Sequence, residues 1–149
     1  MKSIFDKTTK EELVHRINAL PEDSKAQWGK MNIYQMLKHC ILCEEMYLGK
    51  TKYKRAFISY LFGKMALKNV LKDEKPLGRN TPTLPEIKMT ENFITDIKTE
   101  KSKWITLIGE YDQFSNVDFV HPFFGKVTPE QIGYMAYKHI DHHLRQFNG

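Results

Sequence analysis

Six histidines punctuate this chain of 149 residues: His15, His39, His121, His139, His142 and His143. Two of them stand at a spacing that can do chemistry. His139 and His143 are four residues apart, and residues four apart on a helix lie one above the other on the same face. With Ile132 set at zero on a helical wheel, Ala136 falls at about 40°, Ile140 at about 80°, Phe147 at about 60° and Met135 at about −60°. His139 at about −20° and His143 at about 20° therefore occupy the middle of the apolar stripe. Lys138, Asp141 and Arg145 fall on the opposite face. Imidazoles on a buried stripe need partners for their nitrogens. One divalent ion can partner both rings, because neutral imidazole is a good ligand for zinc and its neighbours in the first transition row. Histidines near a helix C-terminus can instead bond the last carbonyls and interact with the helix dipole. That account suits His142, at the edge of the stripe, better than the inward pair.

A third ligand must come from another segment. Ile33, Met36, Leu37, Cys40, Ile41 and Leu48 form an apolar stripe, and His39 lies on its flank with Met36 and Cys43. His39 can face an interior as a ligand, or sit half-buried with a backbone partner. Glu44 falls inside the stripe, where a carboxylate wants a cation or hydrogen-bond donors. Support to a metal, general-base work and a salt bridge are all open to it. Cys40 and Cys43 form a Cys-x-x-Cys, but in mid-helix, with no βαβ pattern and no second pair, it reads as two buried thiols. Cys43 is also four residues from His39, which makes it a candidate fourth ligand. His15 points away from the stripe of its helix, toward solvent. His121 lies in an aromatic loop with Phe123 and Phe124, either lining a pocket or packed. Lys52, Lys54 and Arg55 precede an apolar helix; a solvated helix start accounts for them, with contact to anionic lipid or phosphate as the functional alternative.

The elements that must position these residues read as helices throughout. A helix is predicted over 9–20, with Thr9 and Glu12 as a capping box, Leu13, Ile17 and Leu20 buried, and Pro21 as the stop. A second spans 32–48, capped by Asn32 with Gln35 and ended by Gly49. A third spans 55–72 and carries Phe57, Tyr60, Leu61, Met65, Leu67 and Leu71. The segment 75–85, with three prolines and a glycine, is a surface loop. A fourth helix spans 90–111, with Phe93, Ile97, Trp104 and Ile108 on one face. The last begins at Thr128-Pro-Glu-Gln131, an N-cap, a proline at the first helical position and a glutamine at the third. No segment alternates apolar and polar residues long enough for a convincing strand, and the Asn-Gly or Asp-Gly hairpin signal is absent. The expected architecture is all-α: one domain over 1–149, an antiparallel four-helix bundle with an additional helix and a proline-rich crossover loop. The tryptophans and phenylalanines sit at helical spacings and read as core.

Composition narrows the function classes. Hydrophobic residues make up 41% and charged residues 28%, the balance of a soluble globular domain. Two cysteines exclude a disulfide scaffold and suit a reducing cytoplasm. No signal peptide or bilayer-spanning run is visible, so no membrane partner is expected. The net charge of +5 is spread along the chain and comes with no groove-reading motif, so no nucleic-acid partner is expected. Apolar residues around much of the second and third helices predict burial on two sides, and hence a homodimer.

The run Trp28-Gly-Lys-Met-Asn-Ile-Tyr-Gln-Met-Leu-Lys-His39, followed by His139-Ile-Asp-His-His143-Leu-Arg-Gln146, resembles the DinB/YfiT-like superfamily, and within it a branch of unknown function. The resemblance spans 28–146. It implies a four-helix bundle holding a divalent transition metal, zinc or nickel foremost, on His39, His139 and His143. His142 matches the adjacent non-ligating histidine. Gln146 matches the motif's glutamine and falls on the ligand face, at about −40°, where it is a candidate cofactor-binding residue. Leu144-Arg145 stands where members of the superfamily often have Arg-Gly, so no role is carried over from the motif's arginine.

Three neutral imidazoles leave a divalent ion with uncompensated charge and an open position, which is the catalytic rather than the structural pattern. Such an ion acidifies either water or a thiol. The expected activity is therefore a thiol-transferase-like reaction with a low-molecular-weight thiol, as the resemblance implies, or hydrolysis of a small-molecule ester or amide. Glu44 and His142 are the candidate proton carriers. The competing class is non-catalytic, a metal that locks the bundle of a stress-linked binding or interaction protein. A fourth protein ligand, Cys43 or His121, would favour it.

Overall fold

The structure is a computed structural model and describes residues 1–55, 57–90 and 96–149. It is mostly helical, with α1 at Lys7–Ala19, α2 at Ile33–Tyr47, α3 at Ser59–Leu71, α4 at Ile97–Glu110 and α5 at Pro129–Gln146. α2 packs on α4 and α5, α1 packs on the same two helices, and α3 lies against α5 and a short hairpin. The core fills the space these helices enclose, with Leu13, Ile17, Met36, Leu37, Ile41, Trp104, Ile108, Ile132, Ile140 and Phe147 all fully buried. No helix among the described residues is long and apolar enough to cross a membrane.

Two helix starts follow their local chemistry closely. Asn32 accepts from the Gln35 backbone N–H at 2.9 Å, and the Gln35 side chain accepts from the Asn32 N–H at 2.9 Å. Thr128 and Gln131 close the same reciprocal pair ahead of Pro129. α2 ends where Gly49 takes a φ of 78°, a conformation that costs glycine little. α1 departs from expectation. It begins two residues early, at Lys7, and Thr9 is buried inside the helix instead of capping it. The turn before it is organised by Asp6, whose carboxylate accepts from the Ser3 N–H.

The second half of the chain departs further. α4 begins at Ile97, with the Asp96 carboxylate accepting from the Thr99 N–H, rather than near residue 90. Phe93 lies outside the described residues. α3 begins at Ser59, and only Ser59, Gly63 and Leu67 of it are buried. Phe57, Tyr60, Leu61, Phe62 and Met65 are exposed, so the reading of the phenylalanines as core is overturned at Phe57 and Phe62. The cause is geometric. Gly63 faces the hairpin so closely that a Cβ there would stand 2.2 Å from the Phe123 carbonyl oxygen. The helix thus buries its small-residue face and turns its bulky residues out. α2, by contrast, is covered on two sides within one chain, which explains its apolar circumference without a second copy. The hairpin pairs Val120–His121 with Gly125–Lys126, two residues a side, where no strand was expected. It carries no alternation because it is too short to show any.

α5 is central. Two of the three residues of its supposed polar face are also buried, with Arg145 left exposed: Lys138 reaches the Val70 and Asp73 carbonyls beside α3, and Asp141 accepts from Arg16 of α1 and from Arg145. Burial of these charges is offset by donors and acceptors on both neighbours. The capping box of α2 fixes the helix that carries His39, and Asn32→Ala should cost about 1 kcal/mol in urea denaturation. An unchanged midpoint would show that tertiary packing alone holds that end.

Candidate metal centre

α2 supplies His39 from one wall, and α5 supplies His139 and His143 one turn apart from the facing wall. Their rings converge. Centroids lie 5.0 Å apart for His39 and His139, 4.8 Å for His39 and His143, and 4.6 Å for His139 and His143. The stripe position of His139 and His143 at the core is thus realised, and His39 turns inward from the flank of its own stripe to meet them.

Hydrogen bonds fix which nitrogen of two rings carries a proton. His39 Nδ1 lies 2.9 Å from the Ile87 carbonyl, which can only accept, so Nδ1 donates and Nε2 keeps its lone pair. The logic for His143 takes one more step. The Gln146 amide nitrogen donates to the Trp28 carbonyl at 2.7 Å, which turns Gln146 Oε1 toward His143. His143 Nδ1, 2.9 Å from that oxygen, therefore donates, and its Nε2 is free to bind. His139 is different. Its Nε2 stands 3.0 Å from His39 Nε2, while its Nδ1 is buried with no hydrogen-bond partner. Because His39 Nε2 carries a lone pair, His139 Nε2 either donates to it, leaving Nδ1 an unpaired buried acceptor, or keeps its own lone pair and shares a cation with it.

The electrostatics agree. Burial lowers the pKa of His39, and lowers those of His139 and His143 well below the ordinary imidazole value. Repulsion among neighbouring imidazoles adds to it at each, and the Gln146 and Ile87 contacts only partly oppose it at His143 and His39. All three rings are thus neutral at pH 7, the state a metal requires.

Cys43 approaches the same point. Its Sγ lies 3.8 Å from His39 Nε2 and 3.6 Å from His139 Nε2. Nitrogen and sulfur ligands on one tetrahedral zinc stand roughly 3.3–3.6 Å from each other. His39, Cys43 and His139 each offer a ligand atom within 4.8 Å of the others, as do Cys40, His139 and His143. Each of these groups joins two histidines and a cysteine through the shared His139, and both donor sets fit a divalent ion of the zinc type.

A cavity of about 860 Å³ opens on this cluster, lined among others by Trp28, Lys30, Asn80, Lys88, His142 and Gln146. Its described lining holds two lysines and no carboxylate. The Arg79 guanidinium sits over the Trp28 ring at 4.6 Å, close by.

A family model described as "Protein of unknown function (DUF1569)" matches residues 3–149. The chain belongs to the DUF1569 family. No curated protein and no solved structure matches it.

Other sequence-predicted residues of this DUF1569 chain fall into two groups. His142 and Gln146 are at the site. His142 lines the cavity edge-on to Trp28, with its pKa lowered chiefly by burial and partly restored by the Leu77 carbonyl. Gln146 lines the cavity and accepts from His143 Nδ1. His121 and Glu44 are elsewhere. His121 Nδ1 accepts the Phe123 and Phe124 N–H groups and packs among Tyr47, Phe119 and Phe124; burial takes its pKa down to about 4. It is a loop anchor. Glu44 does not line the cavity. It is fully buried, accepting from the Tyr111 hydroxyl at 2.6 Å. Its second oxygen and the Trp104 indole N–H have no partner at hydrogen-bond distance, so Trp104 acts on it only as a nearby dipole.

The sequence reading missed two parts of the site. The segment around 75–85, expected as a surface crossing, lines the cavity with Leu77, Asn80 and Pro82 and leads to the 3-10 turn Pro85–Ile87, whose last carbonyl orients His39. Trp28, expected as core, is a half-buried cavity wall. Gly29 beside it has a φ of 81°, and a Cβ there would stand 2.8 Å from Gln146 Nε2. Nothing in local periodicity marks a backbone carbonyl as an orienting group.

Burial pushes the Glu44 carboxyl up to about 8, against opposition from Tyr111 and Trp104. The folded chain then holds a proton that the unfolded chain releases near its ordinary value, so this group's contribution is present at low pH and is lost as pH rises from about 4.5 to 8. Glu44→Gln should gain on wild type by roughly 2–4 kcal/mol between those limits in urea denaturation. Parallel profiles for the two proteins would contradict the assignment.

Proposed function

We propose that this chain is a metal-dependent enzyme acting on a small molecule, with one divalent ion held by His39, His139 and His143 inside a four-helix bundle made by α1, α2, α4 and α5. The observation that carries the reading is the pair of fixed tautomers, which leaves Nε2 of His39 and of His143 free on two facing helices, with both rings closing on the neutral His139. The resemblance of 28–39 and 139–146 to the DinB/YfiT-like superfamily supports the same ligand set. Zinc or nickel suits the donors. When bound, such an ion supplies a Lewis-acid charge that lowers the pKa of a water or thiol beside it.

The chain's own residues define the rest. Ile87 and Gln146 hold two rings in register, and loss of such orienting partners typically costs 10–100-fold in metal affinity. Trp28 and the segment around Leu77–Pro82 wall the cavity. Lys30 and Lys88, unopposed by any carboxylate in the described lining, favour a substrate that carries negative charge. His142, which lines the cavity beside Trp28, is the proton carrier in this reading. Glu44, away from the cavity, is left out of the chemistry. Between the two reactions, transfer through a low-molecular-weight thiol stands ahead of hydrolysis, on the strength of the resemblance.

One observation favours a second reading. Cys43 Sγ is close enough to close the coordination shell, and a closed shell is the structural pattern. The protein would then be a metal-locked binding module.

Elemental analysis after zinc or nickel supply and dialysis tests the centre. Wild type should retain about one ion per chain and His139→Ala almost none; equal, near-zero contents would remove the site and the enzyme with it. Cys43→Ser separates the readings. Retained metal with a thermal shift on adding small thiols supports the enzyme, whereas metal loss matching His139→Ala supports the locked module.

A further inference from the structure

Nine large hydrophobic residues are exposed among the described residues, and six of them lie within 57–65. Phe57 is 85% exposed, Leu61 71%, Tyr60 65% and Met65 59%, with Ile58 and Phe62 beside them. Isolated exposed hydrophobics are ordinary, but a contiguous cluster marks a contact surface. On a wheel with the buried Gly63 at zero, Leu61 falls at about 160°, Met65 at about −160° and Lys68 at about 140°. Lys64 and Phe62 stand on the flanks, at about 100° and −100°. The outward face of α3 is thus apolar for its first turns and basic thereafter.

Charge identifies the occupant. Between residues 51 and 72 there are six basic residues, Lys52, Lys54, Arg55, Lys64, Lys68 and Lys72, and no acidic one. Arg55 is engaged by Ser59 and lies over the Tyr60 ring at 3.9 Å. The five lysines form no ion pair among the described residues. A second copy meeting this face through its own α3 would set lysine against lysine. The outward apolar stripe, Ile58, Leu61 and Met65, also stops after two turns, where a helix-pair seam would need Lys68 and Lys72 to be apolar. An anionic bilayer surface satisfies both halves at once: aromatic and aliphatic residues enter the headgroup boundary, and lysines reach the phosphates with their stems along it.

We propose that α3 and the basic residues preceding it form a peripheral docking surface for an anionic lipid membrane. The chain lies on the membrane and does not cross it, in keeping with the helix lengths. The surface revises the expectation of no membrane partner and of a solvated helix start at Lys52–Arg55. It is independent of the metal reading, because no described residue of 51–72 lines the cavity.

Vesicle co-sedimentation of the full chain tests it. Wild type should pellet with vesicles containing about one-third phosphatidylserine in about 0.1 M salt and stay in solution with pure phosphatidylcholine. Each basic residue near such a surface multiplies affinity roughly fivefold, so Lys64→Glu with Lys68→Glu should lower partitioning more than tenfold. Leu61→Ser with Met65→Ser should lower it comparably. Both pairs are solvent-facing, and circular dichroism checks that they fold; should the apolar pair unfold, the charge pair decides alone. No pelleting of folded wild type, or equal pelleting with neutral vesicles, overturns the proposal. So does a dimer by light scattering that Leu61→Ser with Met65→Ser dissolves while vesicles bind nothing.

Discussion

Burying three imidazoles against one another imposes a constraint that ordinary core packing does not. Each ring has two nitrogens, each nitrogen needs a partner, and low polarity makes an omission costly. The chain meets part of that demand with fixed acceptors. Ile87 takes the Nδ1 proton of His39, and Gln146, itself held by the Trp28 carbonyl, takes that of His143. What is left is a cluster of neutral rings, with Nε2 of His39 and of His143 free and His139 Nδ1 unpaired beside them. The surrounding structure reads as the means of holding that unfavourable set in place.

Seen this way, several distant features share one purpose. The loop 20–32 is tied to the end of α5 by the Gln27 N–H on the Gln146 carbonyl and by Gln146 on Trp28. The Asn32 cap then starts α2 in the register that turns His39 inward. The long connection after α3 passes over the cavity before delivering Ile87. Most of α5 is buried, and Lys138 and Asp141 tie its far side to α3 and α1, which holds the two-histidine turn in place. Rigid support of this kind is what a site needs to hold ligands in place. α3 stands apart from the arrangement, packed through small residues and turned outward.

Much of this was legible in the sequence because helices encode their buried face in a period of 3.6. That period alone set His139 and His143 on the core side of α5, and cap chemistry alone placed the starts of α2 and α5. Three things were not legible. Thr9 and Glu12 have the letters of a capping box, but Asp6 organises an earlier start, and tertiary burial of Thr9 overrides the local signal. The outward turn of Phe57–Met65 depends on how near the hairpin comes to Gly63, a distance that only the fold defines. Glu44, apolar-side by the wheel, was correctly placed indoors, but the wheel could not say that its neighbour would be Tyr111 rather than the histidines. Periodicity reports which side of a helix is buried; it does not report what is buried opposite.

The central claim is that three ring nitrogens from two distant segments meet on one ion. Diffraction at the zinc absorption edge, from crystals grown with zinc, tests it most directly. The account predicts a single anomalous peak about 2.0–2.1 Å from one ring nitrogen of each of His39, His139 and His143. No peak among these rings, or a peak that one of the three turns away from, would contradict it.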